Sequence, residues 1–282
     1  MSPTQTRLRV RPIAGWATAT MAAIAASTVA YLWVTLEPLL DAWAAHRTHA
    51  WVGRVDLAAE ATFGGTACLA TVLFLVWLTK ARANVRVFRG GRFTMRDRLA
   101  VVVWLIPVTN LVLPLMQATD LAVAVAGRDL RARRRMTTLV GLWWGANLAT
   151  LLAYTGAVYE GRGYAMELHD LHDRTAQGKA VDVPLAADLF GGEVARALPS
   201  AVLILLAAVL ALVVVARVTG AQYARVARLR GAQRVSGRTA LRSNADDWTV
   251  VLPTAALAGL AAADGDVTAV VPLSALGGTI SA

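Results

Sequence analysis

Four stretches of this chain, residues 13–36, 57–79, 136–159 and 198–218, are each about twenty residues or longer and carry only two charged residues between them, Glu60 and Arg217. A hydrocarbon core about 30 Å thick takes roughly 20 helical residues at 1.5 Å each. Lipid offers the backbone no hydrogen bonds, so only helices and closed barrels cross it, and uninterrupted apolar runs of this length read as helices. The chain is therefore a multi-pass membrane protein, and an ordinary soluble domain is excluded. Composition agrees. Of 282 residues, 57% are hydrophobic and 16% charged, against about 25% charged in soluble domains.

The first stretch follows Arg7, Arg9 and Arg11 and contains small residues, as a signal peptide does. It runs well past the 7–15 residues of a signal core and reaches Trp33, an interface anchor, so it reads as a retained signal anchor. A fifth apolar stretch, 99–126, is broken by Pro107 and Pro114 and carries Asn110, Gln117 and Asp120.

Orientation follows from Lys and Arg, which stay on the cytoplasmic side. Three Arg precede the first span, seven basic residues lie between 80 and 98, and seven more run from Arg217 to Arg242. Segment 128–135 adds five Arg, whereas 160–196 holds four basic residues against seven acidic ones. A full crossing at 99–126 would put the five Arg outside. A re-entrant hairpin turning at Pro107–Pro114 keeps them inside, and then 22 of the 28 basic residues and both termini are cytoplasmic. The expected fold is an all-α integral membrane protein with four transmembrane helices plus this proline-broken hairpin; the alternative is five transmembrane helices with a kinked third. The expected divisions are a transmembrane domain over 1–218, a basic juxtamembrane helix over 219–242 that includes Arg225 and Arg228, and a flexible Ala/Gly/Val-rich tail over 243–282. Arg131, Arg133, Arg134, Arg135, Arg225 and Arg228 are expected to face anionic lipid. The tail offers a docking segment for a protein partner. The +10 formal charge sits beside apolar spans, so nucleic acid is not an expected partner.

Several motifs in order, Ala81-Arg82-Ala83-Asn84, then Trp104 to Pro114 with Pro107 and Asn110 inside it, then Asp120-Leu121, then Gly141-Leu142-Trp143-Trp144, resemble the DUF4328 family of actinobacterial membrane proteins. The resemblance covers about 60–230. In that family an R-A-N element follows one span, a W-x-x-P-x-x-N-x-x-x-P element forms the centre, and a tryptophan pair opens the next helix. This chain departs from the pattern at Val112, Leu115, Thr119 and Ala122. The family has no assigned activity, so the resemblance implies fold and membrane location and no catalytic residue.

Candidate chemistry is sparse. Each proline removes an N–H and blocks the preceding helical turn. Asn110, between two prolines, suits a capping amide or the polar lining of a solute path that includes Thr109, Gln117 and Asn147. Asp120 is an ionisable residue in an apolar segment and so a functional candidate; the alternative is a structural pair with Arg128 or Arg131. His46 and His49, then His169 and His172, each have i, i+3 spacing and fall in the two outer segments, where a Zn or Cu site would use such ligands. Trp33, Trp43, Trp51, Trp77, Trp104, Trp143 and Trp144 mostly lie near span ends and read as an interfacial belt. Gly64-Gly65 reads as a point of close helix packing. Cys68 is the one cysteine, which excludes an intrachain disulfide. No hydrolase elbow, Walker loop or dinucleotide fingerprint is present, so neither cofactor nor catalysis is expected. The expected role is a non-catalytic structural or adaptor component of the cytoplasmic membrane. A transporter or channel component is the alternative, and an outer-face metal sensor the third reading.

Overall fold

The computed structural model describes residues 5–48, 57–89, 104, 112–127, 129–177, 183–235, 243–244 and 247–253. In chain order these form β1 (Gln5–Val10), α1 (Ala14–Thr48), α2 (Leu57–Arg89), α3 (Leu113–Ala126), α4 (Leu130–Ala176), α5 (Val183–Val235), β2 (Ser243–Asn244) and β3 (Asp247–Pro253). Four helices contain stretches long and apolar enough to cross a membrane: Ala14–Glu37, Ala58–Arg86, Leu130–Ala157 and Ala197–Arg228. The all-α, four-span expectation stands.

The surface of these helices is that of a protein meant for lipid. Leu152 is 73% exposed, Val29 67% and Val202 65%, a pattern that water penalises. Threonines along the helices turn their hydroxyls back onto their own backbone. Thr62, Thr71 and Thr155, all exposed, donate to the carbonyls of Ala58, Ala67 and Leu151 at 2.7–2.9 Å. A hydroxyl so engaged does not need water, which makes the residue tolerable against hydrocarbon.

The helices run further than hydropathy indicates. α4 has 47 residues and α5 has 53, about 70 and 80 Å at 1.5 Å per residue. Much of the expected outer segment 160–196 is thus helical, and the basic stretch after 218 continues the last span through Val235 rather than forming a separate helix. α3 has 14 residues, about 21 Å, which is too short to cross alone. Pro114 sits in its first turn, where a missing N–H costs nothing; the helix starts at this proline rather than kinking there. The other arm of the expected hairpin, including Pro107 and Asn110, lies outside the described residues.

The termini add a feature not expected from the sequence, an antiparallel sheet in the order β1-β3-β2. Its register sets Leu8 opposite Val250, Val10 opposite Trp248, Arg7 opposite Val251 and Arg9 opposite Thr249. Because residues alternate between faces, Leu8, Val10, Trp248 and Val250 share one face and Arg7 and Arg9 the other. Residues 247–253 are therefore a paired strand, a correction to the flexible tail expected over 243–282; 254–282 lie outside the described residues.

Contacts divide the chain into two compact units: Met1–Ala17, Leu75–Val140 and Val214–Ala282 in the first, Thr18–Phe74 and Gly141–Val213 in the second. Each of the four long helices contributes residues to both. In the second, the Tyr31 ring meets Phe63 edge-on at 5.2 Å. The Tyr31 hydroxyl donates to Ser200 Oγ at 2.7 Å, since the Ser200 proton goes to the Ala197 carbonyl. Pro199 lies just there inside α5, and a proline frees a carbonyl in the preceding turn, so this hydroxyl chain lies where the helix's own ladder is interrupted. Phe74, Trp143 and Trp144 form an aromatic run with centroids 5.7 Å apart at each step. Gly64 and Gly65 meet nothing: a Cβ at either finds no atom within 4 Å, so among the described residues they do not mediate the close helix packing expected of them.

In the first unit, α3 passes to α4 through Gly127, whose φ of 81° and ψ of −152° fall in territory open essentially to glycine alone. Asp129 then caps α4, its Oδ1 accepting from the N–H of Arg131 at 2.9 Å and of Ala132 at 3.2 Å. Gly127→Ala is expected to cost about 1–3 kcal/mol. Gly141→Ala, placed mid-helix in open space, is expected to be neutral or to stabilise by up to about 1 kcal/mol. Thermal unfolding of the two variants in one detergent checks both signs.

Candidate functional site: an amide clamp on the N-terminal segment

In α2, Trp77, Ala81 and Asn84 follow one another at helical spacing and all are buried; in α5 the same holds for Val215, Val218, Gln222 and Val226. Polar groups on these two stripes meet. Trp77 Nε1 donates to Thr219 Oγ1 at 3.1 Å, Asn84 Nδ2 donates to Gln222 Oε1 at 3.2 Å, and Gln222 Nε2 donates to the Ala81 carbonyl at 3.0 Å. Residue numbers rise together on both sides of these bonds, so α2 and α5 run in the same direction here.

Asn84 also takes hold of the residues between β1 and α1. Its Oδ1 accepts from the Arg11 N–H at 2.8 Å, and its Nδ2 donates to the Arg11 carbonyl at 2.8 Å. One amide thus mimics a strand partner for a single residue of backbone. The assignment of oxygen and nitrogen follows from the partners: Oδ1 faces a donor and Nδ2 two acceptors, and a flip would set oxygen against oxygen. Two further contacts fasten the same segment. The Ala14 N–H donates to the Tyr223 hydroxyl at 3.1 Å, satisfying one of the orphan donors at the start of α1. The Lys80 ammonium lies 4.9 Å from the centroid of the Trp16 ring, a cation–π distance. Arg82, next to Asn84, is fully buried at 0% exposure.

Of the sequence-derived candidates, Asn84 lies in this cluster, and Arg82 is buried two residues before it. Trp104 is half-buried, and its Nε1 donates to Gln117 Oε1 at 3.5 Å, the outer limit of a hydrogen bond. Gln117 is 1% exposed and Pro114 buried, while Asp120 is half-buried. Asn147 donates to the Trp143 carbonyl at 2.8 Å, so its amide is engaged on its own helix. Trp77, Trp143 and Trp144 are buried, a correction to the interfacial belt, and the tryptophan pair lies about four turns inside α4 instead of opening it. Arg131, Arg134, Arg135 and Arg228 are exposed, and Arg133 and Arg225 half-buried. His46 belongs to α1, and His169 and His172 to α4, by backbone alone; His49 lies outside the described residues. Among the described residues no three His, Cys, Asp or Glu side chains gather as metal ligands.

Sequence reasoning missed Gln222, Arg11, Thr219 and Tyr223. The signal for the first was present: the stripe at 215, 218, 222 and 226 keeps helical spacing beyond the point where hydropathy ends the span. Nothing local marks Arg11, which enters through its backbone.

Asn84→Ala and Asn84→Asp leave the Arg11 backbone and Gln222 short of partners, at about 1–3 kcal/mol for each buried orphan, for an expected loss of roughly 2–4 kcal/mol. Asn84→Asp keeps the shape but puts an acceptor against two carbonyl oxygens, so it is expected to do no better than alanine. Amide exchange over residues 5–13 is expected to accelerate in both, whereas Tyr31→Phe leaves that segment unchanged.

The family model for a domain of unknown function, DUF4328, matches residues 36–220. That range holds the R-A-N element, the proline-bounded centre and the tryptophan pair. No curated protein and no solved structure gives a match. With the matched region covering well over half of the chain, the protein belongs to the DUF4328 family.

Proposed function

We propose that this multi-pass membrane protein is a non-catalytic adaptor of the cytoplasmic membrane, in which four helices hold a basic inner face and the paired terminal strands in position for a protein partner. The observation that carries this reading is the use made of the R-A-N asparagine. Asn84 spends both donors and its carbonyl oxygen on joining α2, α5 and the segment that leads out of β1. An amide committed in this way positions the termini and has nothing left for a solute. Gln117 and Asn147, the described members of the polar path considered above, are likewise buried or bonded inside the protein.

Charge supports the orientation. The chain stretches of the first unit hold 22 of the 28 basic residues and 7 of the 18 acidic ones, a formal +15, against a formal −5 for the second. Retention of Lys and Arg on the cytoplasmic side supports a cytoplasmic side for the termini, the sheet and the start of α4, where anionic lipid would meet them.

Two experiments test this. A cysteine at Arg135 in a Cys68→Ala background is expected to be protected from a membrane-impermeant maleimide in intact cells and labelled in inverted vesicles; labelling in intact cells overturns the orientation. A photo-crosslinking amino acid at Thr249 is expected to give one discrete protein adduct in cells, lost in Asn84→Asp at equal membrane abundance. No adduct, together with saturable solute uptake by proteoliposomes, would favour the transporter reading instead.

A further inference from the structure

The first two turns of α4 hold four arginines at the end of the helix least suited to them. A helix N-terminus carries roughly half a positive charge, so Arg131, Arg133, Arg134 and Arg135 add like charge to it. The nearby carboxylate of Asp129 offsets one charge, and its Oδ1 already occupies two of the free backbone donors, the N–H groups of Arg131 and Ala132, while its carbonyl oxygen takes the Arg133 N–H as the first intrahelical bond. The unmet charge therefore resides on guanidinium groups. Arg131, Arg134 and Arg135 are exposed, lie on one face by their i, i+3, i+4 spacing, and have no side-chain hydrogen bond or ion pair among the described residues. Arg133 turns Nη2 onto the Gly127 carbonyl at 3.2 Å, leaving its buried Nε without a hydrogen-bond partner there.

Depth identifies the anion that suits them. The membrane-crossing stretch of α4 begins at Leu130, so these arginines stand where a span enters the headgroup layer. A planar guanidinium meets a phosphate through two parallel hydrogen bonds, and three on one face exceed what a single phosphate charge offsets. We propose that the start of α4 is a binding site for the phosphates of an anionic phospholipid, with preference for a lipid bearing two phosphates over one. The site rests on the cytoplasmic orientation argued above and gives that basic face a defined ligand. Arg217 and Arg228 of α5 are also exposed, but they stand three turns apart and form no comparable cluster.

Native mass spectrometry of the full-length protein in detergent, titrated with diphosphatidylglycerol, phosphatidylglycerol, phosphatidylcholine and pyrophosphate, tests the proposal. Diphosphatidylglycerol is expected to bind most tightly and pyrophosphate not detectably. Arg134→Ser/Arg135→Ser is expected to weaken the diphosphate lipid about tenfold or more through lost charge-assisted bonds, while Arg217→Ser/Arg228→Ser changes it less than about twofold. Arg134→Lys/Arg135→Lys, which keeps the charge without the fork, is expected to fall between. Equal losses in both serine variants would mean diffuse surface charge, and tight pyrophosphate binding a free-anion site; either overturns the proposal. The Thr249 adduct does not depend on these arginines, so failure of the lipid site and failure of the adaptor reading are distinguishable.

Discussion

One side-chain amide sets the arrangement of the terminal unit. Asn84 meets a peptide group at Arg11 with both of its ends and still reaches Gln222, so three pieces of chain far apart in sequence share one polar centre. The segment from Arg11 to Ile13 has no regular structure of its own to pair it, and an unpaired buried backbone group costs about as much as a lost hydrogen bond. By supplying that pairing, Asn84 lets the chain pass from β1 into α1 while Ile13 and Val10 are buried. The sheet inherits this fixed starting point, because β3 joins it only through β1 and β2 only through β3.

Lipid exposure explains why polar groups in this protein are so consistently engaged. Threonine hydroxyls close onto the preceding turn, Asn147 does the same with its amide, and Tyr31 and Ser200 complete each other beside a proline. In water any of these groups could trade partners at little cost, but in hydrocarbon each must carry its partner with it. Polar residues on such helices are therefore poor signposts of chemistry. Asn110 and Asn147 look alike in the sequence, yet Asn147 is consumed by its own helix.

What was legible follows from which signals are local. A twenty-residue apolar run announces a span by length alone, and all four were placed by that rule. The polar continuations of α4 and α5 carry no hydropathy signal, and helical propensity is a weak prior outside the bilayer, so 160–176 and 183–196 read as a loop. The sheet had a local trace: Thr6, Leu8 and Val10 alternate with Gln5, Arg7 and Arg9 in the period of a strand. Three arginines beside an apolar run nevertheless read more simply as an orientation signal, and a strand is recognised by its partner, which here lies near the opposite end of the chain. The R-A-N element was recognisable as a pattern, but its physical meaning was not, since the atoms it binds belong to a backbone.

Charge and geometry converge at the turn between α3 and α4. A short helix stopped by a left-handed glycine, and a long one started by an aspartate cap, are needed only if the chain must end one element and enter the next within three residues. That economy forces the Arg-rich signal, which orients a span wherever it is placed nearby, into the first turns of α4 itself. Arginines of the kind that direct a span are thereby held on a helix, with their charges opposed by the helix N-terminus rather than relieved by it. A flexible loop with equal charge would direct the span equally well, yet its arginines could spread apart into solvent. Fixed on one face, they keep their positive charge concentrated, which is the feature the proposed phosphate site draws on.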